Sequence, residues 1–374
     1  MTRADGLVAR WQRWRDGLLA SPTFRRRALA FAPTRWIARR RAAALFDVVA
    51  GFVYSQTLLG CVRLRLFDHL RDGPLSAAVL GSYTGVPQAT LVRLLDAAVC
   101  LRLLEQRRGG TYGLGALGAA MVDNPAVQAM VEHHVALYDD LRDPVALLRG
   151  QHAGALASYW PYAADAAPER LQADRVAPYS ALMATSQALV ADEILDAWPM
   201  HRHTCLMDVG GGEGGFLLAA ARRAPALRLM LFDLPAVARR AQGAFAAHGL
   251  AQRAEAHGGD FFRSVLPQGA DVVSLVRVVH DHDDAHVRLL LGAVHDALPP
   301  GGVLLLAEPM ADTPGARAMG DAYFGLYLLA MGKGRPRSAA ELTRLLREAG
   351  FSQVTQKPTR MPLQTGLLVA TRSR

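Results

Sequence analysis

Lysine is nearly missing: the sequence has two, Lys333 and Lys357, so its basic character rests on arginine. Cysteine is as scarce. Cys61, Cys100 and Cys205 lie far apart and form no CxxC pair. That excludes a disulfide framework and a thiolate zinc site, and it suits a reducing cytoplasm. The basic N-terminal segment leads into no apolar stretch of the kind a secretory signal needs, and it is poor in the serine of a transit peptide. Charged residues make up only 20% of the chain and hydrophobic ones 51%, far from the composition of a disordered protein. The 374 residues are enough for two domains with full-sized cores.

Charge and aromatic residues are unevenly placed. Residues 1–41 hold eleven arginines and two acids, Asp5 and Asp16, so this arm carries the whole net charge of +9 and the rest is close to neutral. Leu7, Trp11, Trp14 and Leu18 recur at helical spacing, with Arg10 and Arg13 off that face. Ser21-Pro22 reads as an N-cap followed by proline, and Phe24, Ala28 and Phe31 share the next face before Pro33 stops the helix. A Trp/Phe face beside arginine is the pattern of a helix lying on anionic lipid; an arm packed on the body or on a partner subunit would look the same. The run 42–62 is the most apolar and is long enough to span a bilayer. Asp47, Ser55, Gln56 and Thr57 interrupt it, and a charge at a helix centre is expensive. A buried or dimer-interface helix is therefore expected.

Residues 75–100 have a helix-turn-helix rhythm with Gly85 and Pro87 at the turn. Leu103–Glu105 and Thr111–Leu114 then flank Arg107-Arg108-Gly109-Gly110, two short strands around a glycine turn. This is a winged-helix pattern, which often reads DNA. Here the second helix, QATLVRLLDAAVC, offers only Arg93, where a DNA reader should be basic along its face. A packing or dimerisation module is expected and nucleic acid is not.

From about residue 204 short apolar runs alternate with helical stretches: 204–209, 227–232, 271–276 and 302–307. Such runs predict a parallel sheet covered on both faces. The first run leads into DVGGGEGG, in which Gly210, Gly212 and Gly215 satisfy GxGxxG. That motif alone also fits a dinucleotide. Three acids shift the balance. Asp208 precedes the glycines, where an anion would repel a pyrophosphate but suits a sulfonium ligand with an ammonium group. Asp233 ends the next strand and could take both ribose hydroxyls. Asp260 follows the strand after that and could accept from an adenine amine, with Phe261 beside the ring. All three are expected at the carboxyl edge of the sheet, where such folds bind ligands.

The set DVGGGEGG, FDLP, GGDFF, VVHDHDD, LPPGGVLLLAEP and LLREAGF resembles the S-adenosylmethionine-dependent O-methyltransferases of the caffeate and hydroxyindole type, in order and spacing from about residue 40 to the end. The arm and the stretch after it look most similar to the bacterial methyltransferases of acyclic hydroxycarotenoids. The resemblance implies an α/β class I methyltransferase (Rossmann-like) doubly wound sheet and an N-terminal, mainly helical winged-helix dimerisation domain. The expected division is a basic arm over 1–41, the dimerisation domain over 42–175 and the catalytic domain over 176–374, in a homodimer. It places S-adenosylmethionine on Asp208, Gly210, Gly211, Gly212, Asp233, Leu234, Gly259, Asp260, Phe261 and Arg277. It makes His280 the catalytic base, with Asp281 beside it and Glu308 as the carboxylate that orients the imidazole. Chemistry agrees: an acceptor hydroxyl must lose its proton during attack on the sulfonium methyl, and an imidazole within reach can take it. Two departures stand out. His282 replaces the tryptophan of His-Asp-Trp, and a second glutamate of that family falls where this chain has Pro336.

The resemblance implies that the helical stretch 319–331 lines the acceptor, with Tyr323, Phe324, Tyr327 and Met331 as candidates and Met183 from an earlier segment. No cationic cluster there calls for a carboxylate-bearing acceptor, which favours an apolar one. His280, His282 and His286 among Asp281, Asp283 and Asp284 could suggest a metal, but acids at a helix start are ordinary charge complementarity, and no metal is expected. His201, His203 and Cys205 read as surface loop residues. The leading expectation is methylation of a tertiary hydroxyl of an acyclic carotenoid, in the cytoplasm and peripherally on the inner membrane face. A phenol, indole or polyketide hydroxyl is the runner-up, and a winged-helix regulator or a dehydrogenase the rival from another class.

Overall fold

The computed structural model describes residues 3–151, 154–159, 187, 190–362 and 365–373. The chain divides into two compact units, Met1–Asp123 and Asn124–Arg374. The boundary expected at 175/176 lies outside the described residues, as does Met183.

The first unit opens on three helices, α1 (Arg3–Ala20), α2 (Pro22–Ala30) and α3 (Ala32–Arg63). The Ser21 hydroxyl accepts from the Phe24 amide at 3.3 Å, the N-cap that its sequence predicts. Phe31 is extended and separates α2 from α3, and Pro33 sits in the first turn of α3, where its missing N–H leaves nothing unpaired. The apolar run 42–62 is thus part of a 32-residue helix. The expectation that it is buried within the chain does not hold. Only Thr57, Leu59 and Cys61 of α3 are buried, while Leu45 is 68% and Phe52 69% exposed. The apolar stripe is real, but the unit itself does not cover it. By length and composition α3 is also apolar enough to cross a membrane.

Helices Ala77–Thr84 and Gln88–Cys100 follow. Gly85 closes the first of them at φ +69°, a left-handed position that favours glycine. Leu91, Leu95 and Ala98 turn the second helix's apolar face inward. Strands β1 (Leu75–Ser76), β2 (Leu104–Arg107) and β3 (Thr111–Leu114) form an antiparallel sheet in the order β1-β3-β2. The wing is as expected; the two-residue β1 is too short to leave a periodic signal.

The second unit is built on a seven-stranded sheet, order β6-β5-β4-β7-β8-β10-β9. Its strands are β4 (Cys205–Val209), β5 (Arg228–Asp233), β6 (Ala254–Gly258), β7 (Val272–Val276), β8 (Val303–Glu308), β9 (Phe351–Lys357) and β10 (Gly366–Arg372). The first five are parallel, and β10 runs antiparallel to both its neighbours. Leu290, Leu291, Val294 and Leu345 pack one face; Ile194, Phe216, Ala241 and Phe245 pack the other. Each of these side chains except the small Ala241 contributes about 1.5–3 kcal/mol by burial. The chain leaves β4 toward β5 on one side and β7 on the other, and this switch opens a crevice at the strands' carboxyl ends.

His203 and Cys205 are not surface loop residues. His203 Nδ1 lies 2.8 Å from Asp271 Oδ2, and Trp198 donates to its Nε2. Asp271 also accepts from the Cys205 amide, which begins the buried strand β4. This knot pins β4 at the edge of the sheet away from the crevice.

Candidate functional site

The glycine loop leaves β4 with Gly210 at φ +72° and Gly212 at φ +60°. A Cβ on Gly210 would stand 2.8 Å from Val278, and one on Gly211 2.4 Å from Asp208 Oδ2. Asp208 is fully buried. Its Oδ1 accepts from the Ser274 hydroxyl at 2.6 Å, and among the described residues its Oδ2 has no hydrogen-bond partner. Burial raises its carboxyl to about 7, with the Ser274 hydrogen bond opposing. A buried, half-satisfied carboxylate beneath bare glycine backbone calls for a cation and repels a diphosphate. Asp233 ends β5. One of its oxygens accepts from the Gly212 amide at 2.8 Å and the other from the Leu234 amide at 2.7 Å, and burial lifts it to about 6. Gly259, just past β6, would clash with Phe232 if it carried a Cβ. Asp260 closes its own turn by accepting from the Phe262 amide at 2.9 Å, so its backbone role is the ordinary one for an acid there.

The reacting corner lies between β7 and β8. Val279–Asp281 form a single 3₁₀ turn. Glu308, 2% exposed at the end of β8, accepts from the Val278 and Val279 amides through Oε1. Its Oε2 lies 2.6 Å from His280 Nδ1, and Asp281 Oδ1 lies 3.0 Å from His280 Nε2. The geometry of both contacts is ionic: among the described residues neither oxygen has a well-aimed hydrogen-bond partner. Burial alone would drain the imidazole of its proton, but Asp281 and Glu308 outweigh it and lift His280 to about 10. The folded value thus stands above the ordinary 6.5, so the stabilisation is complete below about pH 6.5 and is lost as pH rises through about 10. Melting temperature should fall more steeply across that window in the wild type than in His280→Gln.

Beside His280 opens a cavity of about 340 Å³ lined also by Met130, His134, Arg277, Met319, Tyr323, Phe324, Tyr327 and Met331. Phe324 stacks on the imidazole, centroids 6.0 Å apart. The helical stretch expected over 319–331 is a π-helical turn, Ala318–Tyr323, running into an α-helix, Phe324–Met331. Such turns re-aim side chains at functional sites. His133 Nε2 meets the Tyr327 hydroxyl at 2.9 Å and His134 Nε2 the Tyr323 hydroxyl at 2.7 Å. Burial drains protons from both histidines, His133 to about 4. The tyrosine hydroxyls are thus tied back by neutral partners, and the wall left to an acceptor is largely hydrocarbon. Its polar corner is His280, Asp281 and Arg277, the last held at φ +59°, a strained backbone that tends to cluster at functional sites. Sequence reasoning placed Arg277 with the cofactor; the structure sets it on this cavity. It missed Met130, His133, His134 and Met319. The adjacent histidines in the helix Pro125–Asp140 were the available signal.

The remaining members of the acidic run are structural. His282 packs against Phe261 and Phe262, centroids 5.7 and 5.0 Å away, and burial pulls it down to about 4. Asp283 caps the helix Asp284–Ala297, and Asp284 binds Arg335 and Arg337. Among the described residues no group of three or more His, Cys, Asp or Glu is placed to hold a metal.

Comparison with known proteins gives a consistent picture. The O-methyltransferase domain family matches residues 138–352, and the O-methyltransferase dimerisation domain family matches 46–124. A demethylspheroidene O-methyltransferase of Cereibacter sphaeroides is 43% identical over 90% of this chain and 89% of its own length. An acetylserotonin O-methyltransferase of Mus musculus is 33% identical over 85% of this chain and 86% of its own. The crystal structure of human N-acetylserotonin methyltransferase in complex with SAM has the same fold, with a TM-score of 0.73 at 23% identity, covering 89% of this chain and 98% of that one.

Proposed function

The chain belongs to the S-adenosylmethionine-dependent O-methyltransferases and carries their dimerisation domain, and from that premise we propose that it methylates a hydroxyl borne on a hydrocarbon, the tertiary hydroxyl of an acyclic carotenoid. The observation that carries the acceptor class is the cavity wall, where His133 and His134 occupy the tyrosine hydroxyls and leave one polar corner at His280. The Cereibacter relative's name supports the carotenoid.

The residues fit the cofactor: the unpartnered oxygen of Asp208 offers a site for positive charge, Gly210–Gly212 bare backbone, and Asp233 a pair of acceptors for ribose. Leu234, Gly259, Asp260 and Phe261 border the same crevice edge. When bound, the cofactor supplies an electrophilic sulfonium methyl. The acceptor hydroxyl takes the place of Asp281 at His280 Nε2. Loss of that contact lowers the proton affinity of the imidazole, which releases its resting proton to solvent and, as the neutral base, takes the hydroxyl proton as the oxygen–carbon bond forms. Glu308 stays beside Nδ1 at 2.6 Å and stabilises the imidazolium by its charge. A tertiary alcohol is a weak acid, so placement has to supply much of the rate, and an apolar wall favours spreading of the cofactor's charge.

The arm completes the reading. Leu7, Trp11 and Trp14 are exposed on α1, Arg15 lies over Trp11 at 5.2 Å, and further arginines follow at 25–27 and 39–41. This suits the anionic, cytoplasmic face of a membrane, where a carotenoid dissolves. Trp11→Ala with Trp14→Ala should abolish sedimentation with anionic vesicles and leave activity on a detergent-dispersed acceptor unchanged. Undiminished sedimentation would remove the arm from this role.

The acceptor is tested with a hydroxylated acyclic carotenoid, the same polyene without its hydroxyl, and a panel of soluble phenols. S-adenosylhomocysteine should form only with the first. Turnover of phenols alone would move the acceptor to the aromatic hydroxyls of the acetylserotonin relatives.

A further inference from the structure

The turn that carries His280 is held from two sides. Glu308 takes its amides, from Val278 and Val279. Its carbonyls point the other way, toward residues 334–337. There the Arg335 amide donates to the His280 carbonyl at 2.9 Å. Gly334 lies so close that a Cβ would stand 2.2 Å from that same oxygen. Arg337 is 2% exposed. Its Nη1 donates to the Val279 carbonyl at 3.0 Å and its Nη2 to the His282 carbonyl at 2.7 Å. Nε and Nη2 both reach Asp284 Oδ1, at 2.9 and 2.7 Å. The segment itself is fixed, because Ser338 forms a capping box with Glu341 at the start of the next helix and the Arg337 carbonyl accepts from the Ala311 amide at 3.0 Å.

We propose that Arg337 is a positioning residue for methyl transfer: by gripping the carbonyls on either side of His280 and Asp281, it sets the imidazole against Glu308 and toward the cavity. Buried arginine is uncommon and needs its donors used. Here Nε, Nη1 and Nη2 all bind the catalytic turn or the acid that follows it, and none reaches the cavity directly. The planar fork matters, because it spans two carbonyls and a carboxylate at fixed angles. A lysine ammonium keeps the charge but cannot reproduce that span. The inference rests on His280 being the base.

Arg337→Lys separates this role from plain stability. The expected result is a loss in kcat of about 10²-fold with KM for both substrates little changed. The acidic limb of the kcat profile should move to lower pH, since an imidazole drifting from its carboxylates holds its proton less tightly. Should that variant not fold, Asp284→Asn, at a side chain one-third exposed, loosens the outer end of the same grip; a smaller shift in the same direction is expected. An unmoved pH limb in whichever variant folds would overturn the proposal, as would undiminished kcat in Arg337→Lys. His280→Ala is run beside them. If it keeps turnover, the base assignment fails and takes this inference with it. If it is inactive while the arginine variant has a wild-type profile, only the inference fails.

Discussion

His280→Ala should lower turnover by about 10²–10⁴-fold, the usual contribution of a positioned proton acceptor, and leave cofactor affinity near its wild-type value. The imidazole lines the cavity, while the glycine loop and Asp233 are held by contacts of their own. The variant also leaves two acids, Glu308 and Asp281, buried without their cation. Breaking a buried pair in this way destabilises on the order of 3 kcal/mol, so melting temperature is measured alongside. His280→Gln keeps volume and polarity without the proton affinity. It should be as inactive as the alanine variant, which separates lost chemistry from lost fold. Isothermal titration with S-adenosylmethionine and a steady-state assay make the comparison. Affinity lost in step with turnover would contradict the assigned role.

Asp233→Ala should do the reverse. The carboxylate accepts from the Gly212 and Leu234 amides and keeps lone pairs for a ribose. Its removal loosens the loop and deletes charge-assisted hydrogen bonds worth about 1.5–3 kcal/mol each. The dissociation constant for the cofactor should rise about 10- to 100-fold, with kcat at saturating cofactor within a few-fold of wild type. A kcat effect that saturation does not rescue would place Asp233 in the chemistry instead.

The parallel strands and the glycine loop were legible because both are local. Continuous apolar runs such as 227–232 lie on β5, and Gly210 to Gly212 are demanded by backbone conformation and by close approach to Val278 and Asp208. His280 and Glu308 were legible through their motifs and meet at 2.6 Å. What stayed hidden depends on tertiary partners. The apolar stripe on α3 is visible as a pattern, but a pattern does not say whether the same chain covers it. The pairs His133–Tyr327 and His134–Tyr323 join residues 194 and 189 positions apart, and no local spacing links them. Arg337 reads as one arginine in a polar loop, and only its burial against the turn that carries His280 distinguishes it. His203 is misread for the same reason: its partner Asp271 is 68 residues away.

The most direct measurement is a single turnover with the methyl of S-adenosylmethionine labelled and the cofactor pre-bound to wild type and to His280→Ala, started by adding the hydroxycarotenoid. Wild type should move the label onto the acceptor oxygen, while the variant retains the cofactor with its label in place. Equal transfer by both proteins would contradict the role assigned to His280.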